Sequence, residues 1–128
     1  LFRSTTWTTT YRNREYVRAE YYVDRKDSIV TQVMLDSLRR VRQVISAKYD
    51  KIRLFYGEYY PNGQLKNLVS FDSLGRNDGM TKQFYENGHL NIVGQYKMGL
   101  PCGEWTYFND KGEKIRVERY NANGSLLQ

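Results

Sequence analysis

Short runs of aromatic and aliphatic residues alternate with polar residues along the chain, and several runs end at a turn signal. Aromatic-rich runs precede Gly63, Gly88 and Gly112, and branched aliphatic residues follow each of these glycines. Asn-Gly, present at 62–63 and 87–88, is among the strongest hairpin signals, because both residues tolerate the positive φ of tight turns. The pattern of strand, tight turn, strand and looser polar turn predicts an antiparallel meander.

The three turn glycines are spaced 25 and 24 residues apart, at Gly63, Gly88 and Gly112. This spacing is the length of a supersecondary unit and indicates a repeat. We interpret these glycines as structural turn residues with no chemical role. The 128 residues are predicted to form a single domain, residues 1–128, with clear hairpin repeats in 54–128 and a degenerate part in 1–53.

The apolar residues that follow each turn glycine do not all fall on alternate positions of a strand. Aliphatic residues stand five positions after each glycine, as Val93 does, whereas aromatic residues stand eight positions after, as Phe71, Tyr96 and Tyr120 do. Residues separated by an odd number of positions face opposite sides of a regular strand. Either a bulge intervenes, with Gly94 as one candidate, or both faces of the sheet carry apolar side chains.

Residues 35–47 allow two interpretations. Apolar residues between Leu35 and Ile45 fall at helical spacing, with Asp36 as a possible cap. The segment Leu35-Asp-Ser-Leu-Arg-Arg40, however, is similar to Phe71-Asp-Ser-Leu-Gly-Arg76 and suggests a degenerate copy of the repeat. We favour strands for this reason, and helix remains the alternative.

Two segments carry a resemblance to a known family. Phe84-Tyr-Glu-Asn-Gly-His-Leu90 fits the pattern Gly-x₅-Tyr/Phe-x₂-Asn-Gly-x-Leu, and Gly103-Glu-Trp-Thr-Tyr-Phe108 fits the strand opening Gly-x-Trp-x-x-Tyr/Phe. Residues 54–128 therefore resemble the MORN-repeat variant family, with degenerate copies upstream. The resemblance implies an all-β fold of stacked antiparallel β-hairpins in a single twisted, open sheet, with a scaffolding or binding role. Because the variant is common in bacterial proteins, some labelled antitoxins, it also implies a bacterial, antitoxin-like protein.

Residues suited to catalysis are scarce. His89 and Cys102 are the single histidine and the single cysteine, so a zinc site of His/Cys type cannot be assembled within the chain. The nucleophile elbow and the phosphate-binding loop are both absent. We therefore predict no catalytic, cofactor-binding or metal-binding residues and no enzymatic activity.

The high aromatic content gives the main functional hypothesis. Twelve of the nineteen aromatic residues are tyrosines, and exposed tyrosine and tryptophan are typical of protein recognition surfaces. An open sheet would display one aromatic-rich face to an unidentified protein partner, which makes the chain a module for protein–protein interaction or scaffolding. The candidate protein-binding residues are Tyr56, Tyr60, Tyr85, Trp105 and Tyr107.

The distribution of charge gives the alternative hypothesis. The net charge of +6 lies entirely in residues 1–53, because residues 54–128 are neutral. Binding of an anionic membrane surface or of nucleic acid is therefore an alternative, although interspersed acidic residues disfavour nucleic acid. No apolar run is long enough to span a bilayer, and both a cytoplasmic protein and an exported one without its signal peptide remain open. The candidate anion-binding residues are Arg12, Arg14, Arg18, Arg39, Arg40 and Arg42.

Overall fold

The computed structural model describes residues 8–9, 18–49 and 52–128, and within them all regular secondary structure is β-strand. In this part of the chain, eleven strands form one antiparallel sheet whose spatial order follows the chain order. The predicted all-β fold of stacked hairpins in a single open sheet is thus confirmed. The strands are β1 (Thr8–Thr9), β2 (Arg18–Asp24), β3 (Ile29–Leu35), β4 (Val41–Lys48), β5 (Arg53–Tyr59), β6 (Leu65–Ser70), β7 (Gly79–Phe84), β8 (Leu90–Lys97), β9 (Leu100–Phe108), β10 (Lys114–Tyr120) and β11 (Leu126–Leu127).

In the described residues, six turns share one hydrogen-bond pattern. In each, the first residue donates its N–H to the carbonyl of the fifth residue, and the fourth residue donates back to the carbonyl of the first. The fourth residue has a φ between 61° and 92°. This is the geometry of a three-residue hairpin loop, a type I turn followed by a left-handed residue. The fourth residues are Arg39, Gly63, Gly75, Gly88, Gly112 and Gly124.

These turns lie at both ends of the strands. Four of these turns lie at the same end of the strands, and we call this end of the sheet the first edge. They are the β3–β4, β5–β6, β7–β8 and β9–β10 turns, whose fourth residues are Arg39, Gly63, Gly88 and Gly112. The β6–β7 turn, with Gly75, lies at the opposite edge. The similarity between 35–40 and 71–76 is therefore a similarity of turn type at opposite edges. Strand is the correct assignment within 35–47, because β3 ends at Leu35 and β4 begins at Val41.

Both faces of the sheet carry apolar and aromatic side chains. Directly paired residues share a face, and residues alternate between faces along a strand. Val93 and Tyr96 consequently lie on opposite faces, since Val93 pairs with Lys82 and Tyr96 with Gly79. Face I includes Gln43, Tyr56, Asn67, Gln83, Gly94, Trp105, Tyr107, Glu118 and Tyr120, and face II includes Tyr22, Val33, Val44, Tyr59, Leu68, Phe84 and Phe108.

The pairing register also shifts at several places. One shift lies between Val93 and Gln95, at Gly94, so a local irregularity and two apolar faces coexist. Because one layer has no second layer to cover it, few side chains are fully removed from solvent. Among the described residues, the buried hydrophobic side chains are Ala19, Val23, Met34, Leu35 and Trp105.

Candidate functional site

Trp105 forms the packed base of face I. Its ring lies 4.9 Å from that of Tyr96 at an interplanar angle of 80°, and 6.2 Å from that of Tyr120 at 71°. These edge-to-face arrangements leave Trp105 only 7% exposed. Its buried Nε1 has no hydrogen-bond partner in the described part of the chain, so packing holds the ring. Trp105 therefore packs beneath its aromatic neighbours on this face and contributes little accessible surface.

Tyr107 lies next to Trp105 on face I and stays half-buried. The Arg116 guanidinium lies 4.0 Å above its ring, within the range of a cation–π contact. The hydroxyl of Tyr107 donates to Glu118 Oε2 at 2.8 Å, and the hydroxyl of Tyr120 donates to the same oxygen at 3.0 Å. A carboxylate therefore orients two tyrosine rings on this face.

These contacts shift the pKa values of the three groups in opposite directions. The hydrogen bonds from Tyr107 and Tyr120 stabilise the charged carboxylate and lower the pKa of Glu118. Burial, followed by the hydrogen bond to Glu118, raises the pKa of Tyr107. For Tyr120 the hydrogen bond to Glu118 is the main cause of a raised pKa. At neutral pH the cluster therefore holds an ionised Glu118 and two protonated tyrosines.

Tyr56 lies on the same face, several strands away. Its hydroxyl accepts a hydrogen bond of 2.8 Å from Gln43 Nε2 on the neighbouring strand. Asn67 and Gln83, which pair directly across β6 and β7, lie between Tyr56 and Tyr107. Neither of these two amide side chains has a hydrogen-bond partner in the part of the chain that the structure describes. Face I is thus aromatic at two places, with unused amide groups between them.

Tyr60 and Tyr85 lie in the turns of the first edge and not on either face. The hydroxyl of Tyr60 donates to the carbonyl of Phe84 at 2.9 Å, and the hydroxyl of Tyr85 donates to the carbonyl of Phe108 at the same distance. Each tyrosine begins a turn and binds the strand end of the next hairpin. The five candidate protein-binding residues are therefore divided, with Tyr56, Trp105 and Tyr107 on face I and these two in a ladder between hairpins.

An amide ladder runs beside the tyrosine ladder. Asn62 Nδ2 donates to the carbonyl of Glu86 at 2.8 Å, and Asn87 Nδ2 donates to the carbonyl of Asp110 at 2.7 Å. The Asn-Gly signal therefore has two physical uses. Glycine supplies the left-handed backbone, and asparagine connects one hairpin to the next.

The candidate anion-binding arginines are partly engaged within the protein. Arg40 Nε lies 2.8 Å from Asp36 Oδ2, and Arg42 Nη1 lies 3.9 Å from the same oxygen. Arg18 pairs with Glu20 at 3.4 Å. The structure brings Arg39, Arg40 and Arg42 together at the β3–β4 turn, whereas Arg12 and Arg14 lie outside the described residues.

Sequence reasoning did not identify the role of the two aspartates that begin similar turns. Asp36 accepts the backbone N–H groups of Leu38 and Arg40, and Asp72 accepts those of Leu74 and Arg76. Each aspartate also binds the arginine Nε four residues later at 2.8 Å. The repeated spacing Asp-Ser-Leu-x-Arg was the available signal, because it places an acid and a base four residues apart across one turn.

No catalytic arrangement accompanies these contacts in the residues described. His89 is exposed in the β7–β8 turn, and Cys102 is a half-buried free thiol. Residues 8–9, 18–49 and 52–128 contain no group of three or more His, Cys, Asp or Glu side chains suited to a metal ion. Likewise, no helix in these residues has the length and apolar character needed to cross a membrane.

The fold and these contacts define a β-hairpin repeat protein built as one sheet. The profile of the MORN repeat variant matches residues 58–73 and 77–98, which include the turns of Gly63 and Gly88. The match supports the MORN-repeat resemblance for this part of the chain. MORN repeats generally serve as modules for interaction with proteins or membranes. A comparison with curated proteins finds no match.

Proposed function

We propose that this chain is a non-enzymatic module that binds a protein partner through face I. The observation that carries the proposal is that Tyr56 and Tyr107 stay half-exposed on a sheet face that no second layer covers in the described residues. Their hydroxyls are held by Gln43 and Glu118, so the rings are fixed before binding. Rigid tyrosines lose little conformational entropy at an interface and are enriched at energetically important positions.

The unused amide groups of Asn67 and Gln83 support the same proposal. A protein interface typically surrounds its aromatic anchors with polar groups that form about one hydrogen bond per 100–200 Å². These two side chains offer donors and acceptors between the anchors. Trp105 contributes indirectly, because its packing against Tyr96 and Tyr120 makes the adjacent surface rigid.

The test is affinity capture from cells that produce the protein, followed by mass spectrometry. The wild type is compared with Tyr56→Ser/Tyr107→Ser and with the control Tyr49→Ser, which alters an exposed turn tyrosine. We expect a specific partner that the double variant loses and the control keeps. A partner retained by the double variant would refute binding through face I. An antitoxin role is one form of this function and requires that the captured partner be a toxin.

The anion-binding alternative has no comparable support. Asp36 and Glu20 partly neutralise the arginines of the basic half through the ion pairs described above. Binding to phosphates through this half would weaken steeply as salt is raised. Titration of the protein with anionic vesicles and with oligonucleotides at low and high salt separates the alternative from protein binding.

A further inference from the structure

A groove lies on face II, away from the tyrosines of face I. It has a volume of about 680 Å³ and extends from β2 to the turn between β5 and β6. This volume falls within the range of roughly 300–1,000 Å³ that is usual for ligand sites. The residues that line it are Glu20, Tyr22, Val33, Leu35, Arg40, Val41, Val44, Tyr59 and Gly63.

The floor of the groove is apolar and follows the pairing of the strands. Val33 pairs with Val44, and Leu35 pairs with Val41, so four aliphatic side chains form a compact patch. Leu35 is buried, and the other three are half-buried. Tyr22, which is 38% exposed, and Tyr59 add aromatic surface at the sides. Such a patch gains free energy when another apolar surface covers it.

Arg40 places a positively charged guanidinium at one side of the groove. Its Nε is fixed by Asp36 at 2.8 Å, while its side chain is 44% exposed. No hydrogen bond to the two terminal nitrogens of this guanidinium is found in the described part of the chain, and together these nitrogens can bind a carboxylate in a bidentate manner. Arg39 and Arg42 lie in the same turn region, so three arginines outnumber the two carboxylates of Asp36 and Glu20 at this groove.

We propose that this groove binds an extended peptide segment of a partner protein, with aliphatic side chains on the floor and an Asp or Glu carboxylate on Arg40. Charge complementarity favours an acidic peptide, because Asp36 holds Arg40 in place without occupying its terminal nitrogens. Glu20, which also lines the groove and accepts a hydrogen bond from Tyr22, disfavours a surface dense in phosphates. The site is distinct from face I and does not depend on it.

The chain offers a matched control for Arg40. Arg76 forms the same 2.8 Å contact with Asp72 in the same type of turn, and it is similarly exposed at 40%. It lies at the opposite edge and does not line the groove. Arg40→Gln and Arg76→Gln therefore each remove the same 2.8 Å contact to the aspartate four residues earlier, and only Arg40→Gln alters the proposed site.

The test uses an array of fluorescent octapeptides in which Val or Leu alternates with polar residues and one central position is Asp, Asn or Lys. Binding to the full chain is measured by anisotropy. We expect the Asp peptides to bind about tenfold more tightly than their Asn counterparts, because a carboxylate forms charge-assisted hydrogen bonds with the guanidinium and a neutral amide does not. Arg40→Gln removes this preference, whereas Arg76→Gln and Tyr56→Ser/Tyr107→Ser preserve it.

Three results would overturn the proposal. The first is that no peptide in the array binds, and the second is that Arg40→Gln and Arg76→Gln change binding equally. The third is that the groove binds a membrane surface or a second copy of the chain. Arg40-dependent binding to phosphatidylserine vesicles without peptide binding would show the former, and Arg40-dependent dimers in sedimentation would show the latter. Because face I is tested separately by affinity capture, failure of the groove and failure of face I are distinguished.

Discussion

The indole ring of Trp105 lies against the backbone of Gly94 on the neighbouring strand, so close that a Cβ at Gly94 would overlap three of its ring atoms. Gly94 is also where the register between β8 and β9 shifts. Glycine inside a strand often marks a place where another group approaches the backbone closely. In this sheet the missing side chain creates the space that buries the only large buried aromatic residue among those described.

Gly94→Ala is predicted to destabilise the protein by about 1–3 kcal/mol, because the added methyl group forces Trp105 out of its site. The measurement is the free energy of unfolding from urea denaturation. Trp105 fluorescence should also shift to longer wavelength as the ring becomes exposed, and a Trp7→Phe background removes the signal of the other tryptophan.

Gly57→Ala is the matched control for this prediction. Gly57 lies within β5, and an added Cβ would meet its nearest atom, Leu68 Cδ1, at 3.8 Å, an ordinary contact. Alanine is favoured over glycine in a strand by roughly 0.5–1 kcal/mol, so this variant should be neutral or slightly more stable. Equal destabilisation by the two substitutions would contradict the steric role assigned to Gly94.

The turns could be predicted from the sequence because their signals are local. Gly63 and Gly88 mark left-handed positions within a few residues of the strands they join. Alternation alone left open whether a bulge or two apolar faces explain the mixed parity, and both are present. The burial of Trp105 could not be predicted, because it depends on a glycine eleven positions earlier in the chain, which lies close to the ring only once β8 and β9 are side by side. The same limit applies to Tyr60, whose hydrogen-bond acceptor is a carbonyl 24 residues away.

Arg39 occupies the left-handed position that glycine occupies in five equivalent turns, with a φ of 61°. This conformation costs a residue with a side chain roughly 1–2 kcal/mol. Glycine avoids that strain but loses more backbone freedom on folding, which offsets up to about 1 kcal/mol of the gain. Arg39→Gly is therefore predicted to be neutral to about 1 kcal/mol more stable in chemical denaturation. A loss of stability would show that the Arg39 side chain makes a contribution larger than its backbone strain.

Gly63→Ala gives the reverse comparison. Gly63 has a φ of 89°, and an added Cβ would meet no atom within 4 Å. Any loss of stability in this variant therefore comes from backbone conformation alone. We expect a loss of about 1 kcal/mol, in the range for left-handed residues, measured by the same urea titration. An unchanged stability would show that the left-handed backbone conformation does not require glycine at this turn.

The tyrosine ladder between hairpins predicts a measurable effect of single hydroxyl groups. Tyr60→Phe and Tyr85→Phe each remove one hydrogen bond of 2.9 Å to a carbonyl of the next hairpin. Each should cost about 0.5–1.5 kcal/mol. Because Phe84 and Tyr85 are consecutive residues of the β7–β8 hairpin, the double variant measures how far the two bonds are coupled. Tyr49→Phe is the control, since Tyr49 is 54% exposed and should change stability by less than about 0.5 kcal/mol.

Asp36 and Asp72 predict the acid sensitivity of the fold. Burial raises the pKa of each carboxyl, but hydrogen bonds from the backbone and side chain of Arg40 or Arg76 outweigh burial and lower the pKa below the ordinary 3.8. A lowered pKa in the folded state means that the stabilisation is present above the unfolded value and is lost as pH falls through the folded value. Stability should therefore decrease as the pH falls below about 4.

The variant Asp36→Asn/Asp72→Asn tests this prediction without removing the turns. Asn109 and Asn121 begin turns of the same type and accept the same backbone N–H groups through their side-chain oxygens. The double variant should be less stable than the wild type at neutral pH, and its urea midpoint should depend less on pH between about pH 5 and pH 2. Glu118, whose pKa is also lowered, supplies a remaining slope. Parallel curves for wild type and variant would mean that neither aspartate titrates with folding.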